Sequence, residues 1–114
     1  MKSPHLSPYT EAGPLIYVSG QLAFDRNGRI SESGIAEQTT QVLDNLESVL
    51  VGPGLNRTNV IKTTVWLKPK IDFVVFNESY AAFFGPHRPA RSTVYSDLAL
   101  PAAEVEIEAI AFRP

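Results

Sequence analysis

Val60-Ile61-Lys62-Thr63-Thr64-Val65-Trp66-Leu67-Lys68 alternates in side-chain character and is rich in β-branched residues, which marks a strand. Asp72 is placed to cap a helix, along which Phe73, Phe76, Tyr80 and Phe83/Phe84 form an aromatic stripe. Gly85-Pro86 stops that helix, and Ser92–Ser96 reads as the next strand. This strand, helix and strand fix the period of the surrounding sequence.

Upstream, Ile35, Val42, Leu43, Leu46, Val49 and Leu50 recur at helical spacing until Gly52-Pro53-Gly54 ends the pattern. Leu15 to Phe24 reads as a strand. Asp25-Arg26-Asn27-Gly28 then predicts a hairpin turn with a short partner near Arg29–Ser31, because Asn-Gly tolerates positive φ. Residues 1–14 hold three prolines and read as an extended or looped lead-in. Downstream, Val105–Phe112 is the last strand. The order β-β-α-β-α-β-β implies an α+β layer fold, with two helices packed on one face of a mixed sheet.

The strands carry a second pattern. Ile61, Thr63, Val65 and Leu67 form one mostly apolar face, while Val60, Lys62, Thr64 and Trp66 form the other. Val105, Ile107, Ala109 and Ala111 alternate with Glu106, Glu108, Ile110 and Phe112. In the first strand Ile16, Val18, Gly20 and Leu22 alternate with Leu15, Tyr17, Ser19 and Gln21. A face that mixes Trp, Ile, Phe and Tyr with Glu, Lys and Ser suits half-burial against another copy of the chain.

Composition narrows the chemistry. The chain has 114 residues, 44% of them hydrophobic, and no cysteine, which fits one globular unit in a reducing cytosol. Thiolate catalysis and cysteine metal sites are excluded. The net charge of −2, without a basic run, argues against a nucleic-acid partner. No segment has the length and apolarity of a membrane span, and MKSPHLSPY lacks the apolar core of a signal peptide. Two histidines, His5 and His87, do not make a zinc site, and Gly52-Pro53-Gly54 is a helix stop rather than a phosphate cradle.

The segment Gly85-Pro86-His87-Arg88-Pro89-Ala90-Arg91-Ser92-Thr93-Val94 remains. Its prolines stiffen the approach to Arg91, whose planar guanidinium suits two-point capture of a carboxylate. Glu106 and Glu108 share a sheet face, and one half-buried carboxylate there could shuttle protons. Spacing alone favours a structural Arg91 paired with a glutamate on a neighbouring strand, and does not decide between a proton shuttle and two solvated edge glutamates.

Taken in order, Val18-Ser19-Gly20-Gln21, Val60-Ile61-Lys62-Thr63-Thr64-Val65, Asn77 before Tyr80-Ala81-Ala82-Phe83-Phe84, Arg88-Pro89-Ala90-Arg91-Ser92-Thr93-Val94 and Val105-Glu106-Ile107-Glu108-Ala109-Ile110-Ala111 resemble the reactive-intermediate deaminase family, RidA/YjgF. The resemblance runs from about Leu15 to the C-terminus. It implies a chorismate-mutase-like α+β fold for a single domain over 1–114, and a homotrimer with clefts at its subunit interfaces. It also implies hydrolysis of 2-aminoacrylate and related enamines or imines to 2-oxo acids and ammonia, with no cofactor and no metal. The carboxylate-binding arginine of the family falls on Arg91 and its water-orienting glutamate on Glu106. Ser19, Gly20, Asn77 and Thr93 match positions that line the cleft, Thr93 standing where family members often have cysteine.

One departure concerns a cleft tyrosine that the family draws from the N-terminal segment. An ungapped alignment puts Leu6 there, with Tyr9 three residues later. Either Tyr9 substitutes through a remodelled loop, or the contact is missing. Two other functions attach to the same resemblance, non-catalytic binding of small carboxylates and ribonuclease or translation-inhibitor activity. The acidic balance argues against the latter, and the physiological imine is left open.

Overall fold

The computed structural model describes residues 4–114. Its sheet is built around the last strand, β5 (Val105–Phe112). On one side β5 pairs antiparallel with β2 (Leu15–Gln21), and on the other with β3 (Val60–Leu67). Helix α2 (Phe73–Phe84) returns the chain so that β4 (Ala90–Tyr95) lies parallel to β3. With β1 (Tyr9–Ala12) on the far edge, the order is β1-β2-β5-β3-β4, a mixed five-stranded sheet. Helix α1 (Ile35–Val51) lies beside α2 on the same face.

The helix boundaries follow from chemistry visible in the sequence. Asp72 Oδ1 accepts from the amides of Val74 (3.0 Å) and Val75 (3.1 Å), two of the donors that a helix start leaves without partners. Gly85 ends α2 with φ of 61°, and its N–H donates to the Ala81 carbonyl. Val42, Leu43, Leu46 and Leu50 of α1 and Phe76 of α2 are fully buried against Ile16, Val65, Leu67, Val105 and Ile107. Each contributes about 1.5–3 kcal/mol through removal from water. Thr63, buried among them, shares a 2.7 Å hydrogen bond with the Tyr80 hydroxyl and so leaves no orphaned polar atom.

Three expectations need correction. The lead-in, read as extended or looped, holds a strand of the sheet: Tyr9–Ala12 forms a hairpin with β2 across the loop Gly13-Pro14. Gly13 takes the positive φ (58°) that such a two-residue loop demands, and Pro8 and Pro14 sit outside the paired residues. Residues 1–3 of that stretch lie outside the described ones. Conversely, the Asn27-Gly28 turn forms, but its partner strand reduces to a single bridge between Phe24 and Ile30. Asn45 of α1 donates to the carbonyls of Leu22 and Phe24, taking acceptors that a longer ladder would need.

The third correction concerns the start of β3. A register shift between Val60 and Lys62 against β5 turns Val60 inward (0% exposed) and Ile61 outward (45%), the reverse of strict alternation. From Lys62 onward alternation holds, with Thr63, Val65 and Leu67 buried under the helices. The opposite face carries Tyr17, Thr64, Trp66, Glu106, Glu108, Ile110 and Phe112, all exposed or half-buried.

Candidate functional site

Arg91 is the second residue of β4 and lies opposite Thr63 in the parallel register. Because Thr63 faces the helices, so does Arg91. Its guanidinium carbon lies 4.8 Å from the ring centre of Tyr80, 5.4 Å from Phe76 and 5.7 Å from Phe73. The aromatic stripe of α2 therefore serves the core on one flank and holds a cation on the other. Arg91 opens into a groove of about 430 Å³, whose wall includes Asn77, Tyr80, Phe84, His87 and Arg88. His87 is fixed there by a 2.6 Å hydrogen bond between its Nε2 and the Val60 carbonyl. Thr93 lies on the same side of β4, opposite Val65, and its buried hydroxyl has no partner.

Glu106 lies on the other side of the sheet. It pairs in register with Trp66 and alternates with the buried Val105 and Ile107, so it faces away from the helices. A depression of about 200 Å³ surrounds it, lined by Trp66 and the loop Ser96-Asp97-Leu98-Ala99. Its carboxyl is held above the ordinary glutamate value, chiefly by burial and then by repulsion from Glu108. Gly20 adjoins it in the irregular stretch where β2 shifts register between Val18 and Gln21. A Cβ at Gly20 would collide with the Glu106 carboxylate, its Cδ being 3.0 Å away.

The residues singled out in the sequence thus fall into two sets. Arg91, Asn77 and Thr93 belong to the helix side, and Glu106 and Gly20 to the open side. Ser19 adjoins Gly20, but its hydroxyl donates to the Ser7 carbonyl (2.6 Å) and its amide to that of Pro8, which docks the N-terminal segment on β2. One chain does not bring Arg91 and Glu106 together. Glu108 has no ion-pair partner among the described residues, and Lys62 donates to Ser92 Oγ at 2.8 Å.

Within one chain, Tyr9 and Glu106 lie apart. Tyr9 pairs with Val18 and lies against Gly52 at the end of α1, on the helix side. Leu6 is 63% exposed. Sequence reasoning also missed the Ser96–Ala99 loop as part of the glutamate's surroundings, since loop residues carry no periodic signal. The stacking of Arg91 on the α2 rings could have been found, because a stripe one strand away from a lone arginine is a legible pairing. Among the described residues no group of His, Asp and Glu gathers as metal ligands, and no helix is long and apolar enough to cross a membrane.

Comparison with known proteins agrees with this architecture. The family model described as Endoribonuclease L-PSP matches residues 2–113. A RutC family protein of Pyrococcus horikoshii is 38% identical over 95% of this chain and 89% of its own length. The human 2-iminobutanoate/2-iminopropanoate deaminase is 39% identical over 95% of this chain and 82% of its own. The crystal structure of Escherichia coli TdcF with bound serine superposes with a TM-score of 0.88 at 30% identity, covering 100% of this chain and 91% of that one. The five-stranded sheet, the two helices on one face and the sequence match over nearly the whole chain establish that the protein belongs to the Endoribonuclease L-PSP family, the RidA/YjgF reactive-intermediate deaminases.

Proposed function

We propose that this protein hydrolyses small carboxylate-bearing enamines and imines, such as 2-aminoacrylate and 2-iminobutanoate, in clefts between the subunits of a homotrimer. The observation that carries the reading is the separation of Arg91 and Glu106 onto opposite faces of one sheet. A site that uses both must join the groove of one copy to the sheet face of another. Exposed Tyr17, Ile61 and Phe112 on or beside the open face fit coverage by a second copy. Relatives at about 40% identity named 2-iminobutanoate/2-iminopropanoate deaminase, and a relative holding serine, support a small amino-acid-like substrate.

In this account Arg91, pinned by the rings beneath it, takes the substrate carboxylate as a two-point pair and orients the neighbouring C=N carbon. Asn77 on the groove wall offers a further hydrogen bond, and Thr93 stands behind Arg91 on the same side of β4. Glu106 from the neighbouring copy accepts a proton as water adds to that carbon, giving a carbinolamine. It returns the proton to the amino nitrogen; as the C–N bond breaks, the carbinolamine hydroxyl becomes the carbonyl by passing its own proton to the same carboxylate, which hands it to the departing ammonia. The products are a 2-oxo acid and ammonia. A carboxyl raised by burial releases and recovers protons closer to neutral pH than an ordinary glutamate, which suits this exchange.

The test is ammonia release from enzymatically generated 2-aminoacrylate and 2-iminobutanoate, above the spontaneous rate. The bound serine of the relative also fits a second reading, retention of small carboxylates without turnover. Binding of 2-oxo acids with no accelerated ammonia release would select that reading instead.

A further inference from the structure

Among the described residues, two arginines are committed to structural carboxylates, Arg57 to Glu47 and Arg113 to Glu11, each at 2.5 Å. Arg88 and Arg91 have no such partner, and both line the same groove. That groove contains no Asp or Glu at all, in a chain whose net charge is −2. Nor is Arg88 engaged with the end of α2: the Ala81 and Phe84 carbonyls are taken by the amides of Gly85 (2.9 Å) and His87 (3.2 Å). Only Pro89 and Ala90 separate the two arginines, so their Cα atoms are at most about 10 Å apart. Arg91 is held over the α2 rings, whereas Arg88 is exposed and its side chain makes no hydrogen bond or ion pair among the described residues.

We propose that Arg88 forms a second anion subsite beside Arg91, and that the groove takes dianionic 2-imino or 2-oxo dicarboxylates in preference to monocarboxylates of similar size. This rests on the reading of Arg91 as a carboxylate anchor. Two like charges in one groove repel each other while it is empty. A monoanion offsets one of them, and a dianion offsets both and removes the repulsion. The fixed guanidinium sets the orientation of the reacting end. The longer reach of the exposed one accepts a carboxylate further along the chain of the ligand.

The test compares binding of 2-oxoglutarate and 2-oxobutanoate to the intact protein by calorimetry, with Arg88→Ala measured alongside. The wild type is expected to favour the dicarboxylate at least tenfold, and Arg88→Ala is expected to bring the ratio of the two affinities close to one. Equal affinities in the wild type, or a preference that survives Arg88→Ala, overturn the proposal. Turnover of 2-iminobutanoate by the wild type is read separately. A dianion preference without turnover supports the subsite and removes the hydrolytic reading, whereas turnover without the preference does the reverse.

Discussion

The Glu106 carboxylate rests against the bare Cα of Gly20, in the space that a side chain at that position would fill. The atom in the way is the end of a flexible side chain, not backbone, so an added methyl would displace the carboxylate without breaking the sheet. Gly20→Ala should therefore leave the melting temperature within a few degrees and lower kcat by about 10- to 100-fold, since a shift on the order of 1 Å can cost that much. Melting curves beside turnover of 2-iminobutanoate check this. Unchanged kcat would show that the carboxylate need not occupy that place.

Arg91→Lys keeps the charge and loses the fork and the planar stack on Tyr80. Affinity for 2-oxobutanoate should fall by roughly 10- to 100-fold, equivalent to about 1.4–2.8 kcal/mol, with kcat/KM falling in parallel. Calorimetry and steady-state kinetics measure the two independently. Near-normal binding by the lysine variant contradicts the anchoring role.

Burial first, and Glu108 second, raise the pKa of Glu106. The deprotonated form that accepts a proton from water is therefore lost at a higher pH than for a free glutamate, whose value is about 4.3. The acid limb of kcat should have its midpoint above that value, and Glu108→Gln should move it downward while leaving turnover substantial. Glu106→Gln should abolish most turnover yet leave 2-oxo acid binding much less changed. An acid limb that ignores Glu108→Gln removes the coupling, and a dead Glu108→Gln with an active Glu106→Gln reverses the assignment.

Away from the site, Glu47 accepts from Arg57 Nε at 2.9 Å and Nη2 at 2.5 Å, and Arg57 also donates to the Phe83 carbonyl and lies 3.9 Å over the Phe83 ring. The Arg57 hydrogen bonds lower the pKa of Glu47, so its stabilisation is present above the unfolded value and fades as pH falls through the folded one. The pair is partly exposed, and Glu47→Gln should cost about 1 kcal/mol or less at pH 7. Urea unfolding of both proteins at pH 7 and in acid checks this. A gap between the variant and wild type that widens in acid would contradict the sign.

The helices and the three inner strands were legible because each combines a strong period with a definite stop. Asp72 and Gly85 around α2 are the clearest instance. What escaped was set by tertiary competition. Asn45 takes the carbonyls that the Asn27-Gly28 hairpin needed, and the bulge at Ile61 reverses a face that alternation had fixed. At the site, residue identity and order pointed to Arg91 and Glu106. Their placement on opposite faces depends on the parallel pairing of β4 with β3 and the antiparallel pairing of β5, and no local pattern encodes those pairings.

The account stands on Arg91 and Glu106 coming from different copies of a trimer of about three times 12.5 kDa. Arg91→Ala and Glu106→Gln, each inactive alone, can be co-expressed with different tags and the mixed trimers isolated by tandem affinity, with light scattering to verify their mass. In a cyclic trimer that contains both variants, roughly one cleft in three has an intact arginine facing an intact glutamate. Mixed trimers should therefore recover a substantial fraction of wild-type turnover of 2-iminobutanoate. Isolated mixed trimers no more active than either parent would contradict the shared site.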